Sequence, residues 1–466
     1  MRVLLVNPPH SLSAHNPLAS SGLSLPPLGL LYIAAFLRKE MPAAELKVLD
    51  LPGRGLSAAD LEKELAAFKP DLAGITVYTG AFTSAMNVSS AIKKACPECF
   101  VVAGGHHATA RPGECLEKGA FDAVVSGEGE RAFSELALKL QKRESLNIPG
   151  LTLKNSAGPA AGKYPPLDLD SLPMPARDLL DLKLYRPAVF GYKRLPVTSM
   201  VTSRGCPFSC KFCSKSVFGS DYRAQSPEKT LEEIVHLMEN YGIREISFQD
   251  DTFTFDRKRV IDLCGLIISR GLDLTWSCMT RVDLVDEELL SKMKESGCVS
   301  IAFGIDGASD GACGLMNKGF GAEKARSAVA AARKAGIETR GYYVFGYPGE
   351  TLASMEAALK NIMEIGTDHV FFAFAHPFFD TELYAEAREK GLLKATDEEL
   401  RDSYDNTQPL ITVPGAGPEE LLKFYRKAYL RYYLRPGPLF TRLASIRGAG
   451  DLAGQFKAFR SFLKWC

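Results

Sequence analysis

The sequence predicts an α/β protein: a doubly wound, Rossmann-like parallel sheet over residues 1–145, a six-unit β/α partial barrel over 197–395, and a mainly helical C-terminal region over 396–466. Three observations predict it. Short apolar runs rich in β-branched residues alternate with helical periodicity, twice along the chain. A proline-rich connector, 146–196, separates the two alternations. The first set has five strand runs, as in an open sheet, and the second six, two short of the closed eight-stranded barrel.

In the first set the strand runs are RVLLV from Arg2, LKVLD from Leu46, LAGITV from Leu72, FVVAGG from Phe100 and FDAVVSG from Phe121. GLLYIAAFLRKE, SAADLEKELAAF, SAMNVSSAIKKA and ERAFSELALKL lie between and after them and repeat apolar residues at the spacing of one helix face. Ser57 and Asp60 stand three apart ahead of Leu61, Leu65 and Phe68, a capping-box pattern that marks a helix start. Such a sheet binds ligands at the carboxyl ends of its strands. The connector carries NIPG, KYPPLDLDSLPMPARDLL and YRPA, and reads as an ordered seam.

The second set runs VTSMVT from Val197, IREISFQ from Ile243, LDLTWS from Leu272, CVSIAFGI from Cys298, TRGYYVFG from Thr339 and HVFFAFA from His369. Ser226 and Pro227 occupy the N-cap and first helical positions of PEKTLEEIVHLMENYG. From about Leu392 the chain is charged and helical, ending in the basic RLASIRGAGDLAGQFKAFRSFLKWC.

Lys and Arg number 56 against 55 Asp and Glu, so no global field draws the chain to nucleic acid or an anionic membrane. The apolar run of MRVLLVNPPH is too short for a secretory segment, and no stretch approaches the roughly 18 apolar residues of a membrane span. The expectation is a cytoplasmic protein with no transmembrane segment and no nucleic-acid partner. Eleven cysteines, an odd number spread over a long chain, argue against a disulfide framework. Cys96 and Cys99 form an isolated C-x-x-C that reads as structural, with a redox pair as the alternative.

The informative stretch is SRGCPFSCKFCS, Ser203 to Ser214, directly after VTSMVT, where a barrel carries its active site. Cys206, Cys210 and Cys213 are spaced C-x3-C-x2-C. A closed structural metal site takes four ligands, and a cubane iron–sulfur cluster one thiolate per iron. Three thiolates leave one iron open to a substrate or cofactor. A zinc site with a distant fourth ligand and three core thiols are the other readings of the spacing.

This motif, after the first strand of a six-unit barrel, resembles the radical S-adenosylmethionine (SAM) superfamily over roughly residues 197–395. The resemblance implies a 4Fe-4S cluster on Cys206, Cys210 and Cys213, with SAM chelating the fourth iron and cleaved to a 5'-deoxyadenosyl radical. It also implies SAM contacts: Phe212 against the adenine, Asp250 and Asp251 of FQDDTFT at the ammonium, and Arg281 of MTRVD at the carboxylate. Asp306 of FGIDGAS would meet the ribose, where relatives commonly carry Glu. Gly346 belongs to FGYPGET, in which Gly346 and Gly349 permit tight turns. Read without the resemblance, Asp250 caps a turn and Arg281 pairs with Asp283 at the surface.

The first 140 residues or so resemble cobalamin-binding domains of the methionine-synthase type, whose motif is D-x-H-x-x-G, then S-x-L, then G-G. Thr76-Val77-Tyr78 stands in the S-x-L position, and Gly104-Gly105 follows after 25 residues. In place of D-x-H-x-x-G the chain reads NPPHSL, with Pro9 at the ligand position and His10 out of register. This departure is similar to the cobalamin-dependent radical SAM subfamily, which commonly binds cobalamin without a histidine ligand. LPPLGLLYIAAFL, GGHHAT, GEGE and the connector's SLPMPARDLL extend the likeness. It implies cobalamin contacts from Pro8, Pro9, Thr76, Tyr78, Thr79, Gly104, Gly105, His106, Gly127, Glu128 and Gly129. His106 and His107 either face the nucleotide tail or pack, and the axial face falls to the Tyr78–Thr79 region or to water.

The combined resemblance implies methylation of an unactivated carbon, one SAM re-methylating cob(I)alamin and a second supplying the radical. It implies an external reductant such as a flavodoxin or ferredoxin, and a small-molecule or peptide substrate, with lipid open as well. Relatives with this domain order also catalyse cyclisation, ring contraction or oxidation, which the motifs do not separate. Methylthiotransferases share loops like FGYPGET, but Cys96, Cys99 and Cys115 lack the spacing of their second cluster. The near-zero charge also gives no RNA footprint. A cobalamin sensor or an electron carrier is the non-enzyme reading; neither needs a barrel with a three-cysteine loop. Tyr343 and His376, with Tyr384 nearby, are the candidate catalytic residues at the barrel top, where packing is the alternative role.

Overall fold

A computed structural model describes residues 1–9, 25–156, 162–185, 192–402 and 407–435. His10 and the basic C-terminal tail lie outside the described residues. The chain divides into two compact units, one of Met1–Ser11, Gly22–Pro207 and Lys215–Arg244, the other of Leu12–Ser21, Phe208–Ser214 and Glu245–Cys466.

The first unit is built on β1 (Arg2–Asn7), β2 (Glu45–Asp50), β3 (Leu72–Thr76), β4 (Phe100–Gly104), β5 (Ala123–Val125) and β6 (Leu151–Leu153). The order is β2-β1-β3-β4-β5-β6. All pairs are parallel except the last, in which Ala123 opposes Leu153. The order turns at β1, which creates the crevice beside β1 and β3 that such sheets use for ligands. Strand alternation sorts the core. Val3 and Leu5 of β1 pack with Leu31 and Leu37 on one face, whereas Leu4 and Val6 pack with Leu61, Leu65 and Phe82 on the other. Gly74 permits close approach, since a Cβ there would lie 2.8 Å from the Phe133 ring. Ser57 Oγ accepts from Asp60 N while Ser57 N donates to the Asp60 carboxylate, so the capping box forms.

β6 has no counterpart among the strand runs read from the sequence. Three residues are too short for a periodicity, and their conformation is set by the backbone edge of β5.

The first unit also carries β7 (Val197–Met200), and the second unit holds a parallel sheet of β10 (Glu245–Phe248), β11 (Thr275–Thr280), β12 (Cys298–Asp306), β13 (Glu338–Phe345) and β14 (His369–Phe374) in the order β14-β13-β12-β11-β10. A two-residue antiparallel ladder, β8 (Ser203–Arg204) with β9 (Arg223–Ala224), brackets the cysteine loop in sequence. In the second unit β10 to β14 pair in parallel, each with the next, with helices Arg257–Ser269, Glu287–Glu295, Ala322–Lys334 and Leu352–Ile365 between them. All six predicted strands form. In the first unit, Ser226 Oγ accepts from Lys229 N at the start of helix Pro227–Tyr241.

The helix Pro418–Tyr433 closes the edge of β14 with side chains rather than a further strand. The hydroxyls of Tyr425 and Tyr429 donate to Phe372 O, and Tyr429 also accepts from Phe372 N. Tyr433 does both for Val370. Among the described residues no helix is long and apolar enough to cross a membrane.

Candidate cofactor sites

Cysteine exposure separates candidate ligands from core. Cys99, Cys115, Cys264, Cys278, Cys298 and Cys313 are buried. Burial pushes the thiols of Cys99, Cys115, Cys264 and Cys313 up to about 12, where they stay protonated and unreactive. Cys99 packs in the apolar core, with half-buried Cys96 against the same cluster. Cys206 and Cys210 are half-buried and Cys213 is exposed. Among the described residues no three His, Cys, Asp or Glu side chains converge as a ready metal site. Cys206 belongs to the first unit, Cys210 and Cys213 to the second.

In the second unit the loop 208–214 is anchored by its own backbone and by the segment after β12. Cys213 N donates to Cys210 O at 3.2 Å, and Lys211 N to Met316 O at 3.2 Å. Asn317 Nδ2 donates to Ser209 O at 2.8 Å, and Leu383 N to Lys211 O at 3.0 Å. Arg281 closes on the same loop. Its guanidinium lies 3.6 Å from the Phe208 ring centre, and its Nη1 lies 3.8 Å from Cys210 Sγ. It also grips Asp283 through Nε and Nη2 and donates to Lys318 O at 2.6 Å. The Asp283 pair exists, but around a buried arginine rather than on the surface.

Phe212 packs on a cluster containing Met316, Tyr347 and Leu383. Asp250 is fully buried after β10. Desolvation first and the Asp250 charge second hold the Asp251 carboxyl above its ordinary value. The Asp306 carboxylate meets Lys318 Nζ at 2.5 Å, so the group assigned to a ribose already has a partner. Gly346 has φ +74. Its loop is stapled by Glu350, whose carboxylate accepts from Tyr347 N at 2.9 Å. Desolvation raises Glu350 to about 7 against those backbone donors.

Tyr343 is fully buried, against Phe372. Strand period turns it to the opposite side of the sheet from Tyr342, which stacks on Phe371 at 4.9 Å. That placement gives Tyr343 packing contacts. His376 is nearly buried against Phe378.

In the first unit the loops after β3, β4 and β5 meet. Val77 N donates to Gly104 O at 2.7 Å, His107 N to Val77 O at 3.0 Å, and Gly127 N to Thr109 Oγ1 at 3.0 Å. Gly105, at φ +101, takes a conformation open only to glycine, and a Cβ there would lie 3.1 Å from Thr76 Oγ1. Tyr78 and exposed His106 stack at 5.8 Å. His107 is buried on Phe82, its Nδ1 3.4 Å from Thr79 Oγ1 and its Nε2 3.5 Å from Glu114. It packs, whereas His106 faces outward. Pro8 is buried and Pro9 exposed.

The GEGE stretch does other work. Glu128 accepts from Arg204 at 2.5 Å and from Arg223, and Glu130 accepts from Arg204 at 2.6 Å. Burial works against the Arg204 charge, but Glu130 and then Glu128 hold its pKa above the ordinary arginine value. Glu128 is thus engaged in a clamp on the strand that leads to Cys206, a role its cobalamin assignment did not include. Gly127 and Gly129 supply backbone beside it. Gly205, at φ +83, sets the turn before Cys206, and a Cβ there would strike Asp221 O.

Residues 200–362 match the Radical SAM superfamily, and residues 16–137 match the B12 binding domain. Over 442 residues the chain is 36% identical to the uncharacterized methyltransferase PH0819 of Pyrococcus horikoshii, covering 94% of this chain and 93% of that one. The chain belongs to the cobalamin-dependent radical SAM methyltransferase family. It is an enzyme whose cofactors are a 4Fe-4S cluster, SAM and cobalamin.

This methyltransferase is also 27% identical over 444 residues to the anaerobic magnesium-protoporphyrin IX monomethyl ester cyclase of Rubrivivax gelatinosus, covering 93% and 78% of the two chains. Among solved structures it shares its fold with the radical SAM methyltransferase TsrM of Kitasatospora setae. The TM-score is 0.67 at 22% identity, over 85% of this chain and 79% of that one. The cofactors fit the residues present. Reachable thiols beside a buried arginine suit an anionic cluster, and a glycine-only turn ringed by Thr76, Tyr78 and His106 leaves backbone open to a large corrinoid.

Proposed function

We propose that this methyltransferase methylates an unactivated carbon of a small organic molecule. Cys206, Cys210 and Cys213 hold the cluster. Phe212, Asp250, Asp251, Arg281 and Gly346 frame SAM, and Thr76, Tyr78, Thr79, Gly104, Gly105 and His106 frame cobalamin. When bound, the cluster and SAM supply a hydrogen-abstracting radical and cobalamin a transferable methyl group. The protein's own residues orient these groups and exclude water around them. A low-potential one-electron donor, such as a flavodoxin or ferredoxin, serves as reductant.

The observation that carries this reading is the Cys210–Cys213 loop, whose thiols stay reachable while Arg281 lies beside them. The likeness to a cyclase favours a second reading, ring formation with the same cofactors. Anaerobic reconstitution with iron, sulfide and cobalamin, then SAM and reductant, separates the two. Methylcobalamin, S-adenosylhomocysteine and 5'-deoxyadenosine together are the expected result. Deoxyadenosine from a protein whose bound cobalamin is never methylated would reject methyl transfer.

A further inference from the structure

We propose that Lys318 is a positioning residue for the cluster: its ammonium, fixed by Asp306, is a buried positive charge beside the Cys210–Phe212 loop that sets the potential at which the cluster accepts an electron. Residues 316–318 run alongside 209–212, joined by Lys211 N to Met316 O and Asn317 Nδ2 to Ser209 O. Lys318 Nζ lies 5.8 Å from the Phe212 ring centre and 5.4 Å from that of Phe320. Phe320 also takes the Arg281 guanidinium at 5.0 Å. The lysine side chain is 5% exposed and the aspartate's 12%, so water does little to screen the pair.

Asp306 holds this position with φ +58, a left-handed conformation uncommon for a side chain other than glycine. The Lys318 carbonyl is fixed as well, by Arg281. The Asp306 carboxylate, 2.5 Å from Nζ, compensates the ammonium for its burial. One-electron reduction adds a negative charge to a cluster, and cluster potentials respond to nearby charge and to contacts at the sulfurs. A fixed cation beside the loop therefore makes reduction easier. Asp306 tempers the effect.

The inference rests on the cluster assignment above, and its test uses the full-length, anaerobically reconstituted enzyme without SAM. The cluster is titrated with dithionite, and the reduced fraction is read by electron paramagnetic resonance. Lys318→Met is expected to lower the potential, so that at the wild-type midpoint the reduced fraction falls about threefold or more. Asp306→Asn, which uncovers the cation, is expected to raise it, and Lys318→Arg to keep it near wild type. Opposite shifts from the two partners are not what a loosened loop would produce. Shifts of the same sign, or no shift, overturn the proposal. If Lys318→Met takes up no cluster, Asp306→Asn decides, and a potential at or below wild type overturns it. Iron and sulfide are measured first. A wild type that assembles no cluster overturns this inference together with the cluster assignment, whereas loaded variants with unmoved potentials overturn this inference alone.

Discussion

Single residues decide whether the cofactor loops can exist. Gly105 is the clearest case, because its backbone conformation and the 3.1 Å approach to Thr76 Oγ1 both exclude a side chain. Gly105→Ala is expected to cost about 1–3 kcal/mol of local strain. It should lower cobalamin retention at least about tenfold, measured by absorbance after gel filtration. Glu350 gives a pH dependence. Its folded value, about 7, lies above the ordinary 4.5, so the folded state binds the extra proton between them. Its contribution is complete below about 4.5 and is lost as pH rises through about 7. Denaturant unfolding of the cluster-free protein should show Glu350→Gln gaining on wild type by about 3 kcal/mol across that window. A constant difference would reject the assignment. The glycine turn at Gly105 and the C-x3-C-x2-C spacing were legible in the sequence because each is a local pattern. Lys318 and Glu350 were not, since a lysine or glutamate in a polar loop carries no periodicity that announces burial.

At the scale of elements, the strands were legible because each set repeats one short pattern, apolar run then amphipathic helix. The role of the last helix was not. Tyr425, Tyr429 and Tyr433 recur at intervals of four and look like an ordinary apolar stripe. In the fold their hydroxyls pair the outer backbone of β14 at Val370 and Phe372. An uncovered edge strand is a template for aggregation. Replacing all three with Phe keeps the apolar packing and removes the pairing, so light scattering on warming should rise at a lower temperature than for wild type. Unchanged scattering would mean that helix packing alone protects the edge.

Across a whole unit, buried ion pairs tie segments distant in sequence. Arg177, from the connector, meets Glu233 at 2.6 Å with both side chains almost fully buried, and donates to Ser199 O in β7. Removing one partner strands the other charge, so Arg177→Met should cost about 3–5 kcal/mol. The double variant with Glu233→Leu should recover much of it. Equal loss in both variants, by denaturant midpoint, would show that the arginine acts through packing. The clamp of Arg204 and Arg223 on Glu128 and Glu130 follows the same rule.

The sequence by itself determined the two parallel sheets, the three-cysteine motif, the glycine turn and, through likeness, the family, because each is written in neighbouring residues or in a repeating period. Only the tertiary structure decided which charges are buried together. It pairs Asp306 with Lys318, gives Glu128 to two arginines, turns Tyr343 into the core and lends tyrosine hydroxyls to β14. The physical reason is that desolvation depends on what surrounds a group in three dimensions, and chain spacing does not record it.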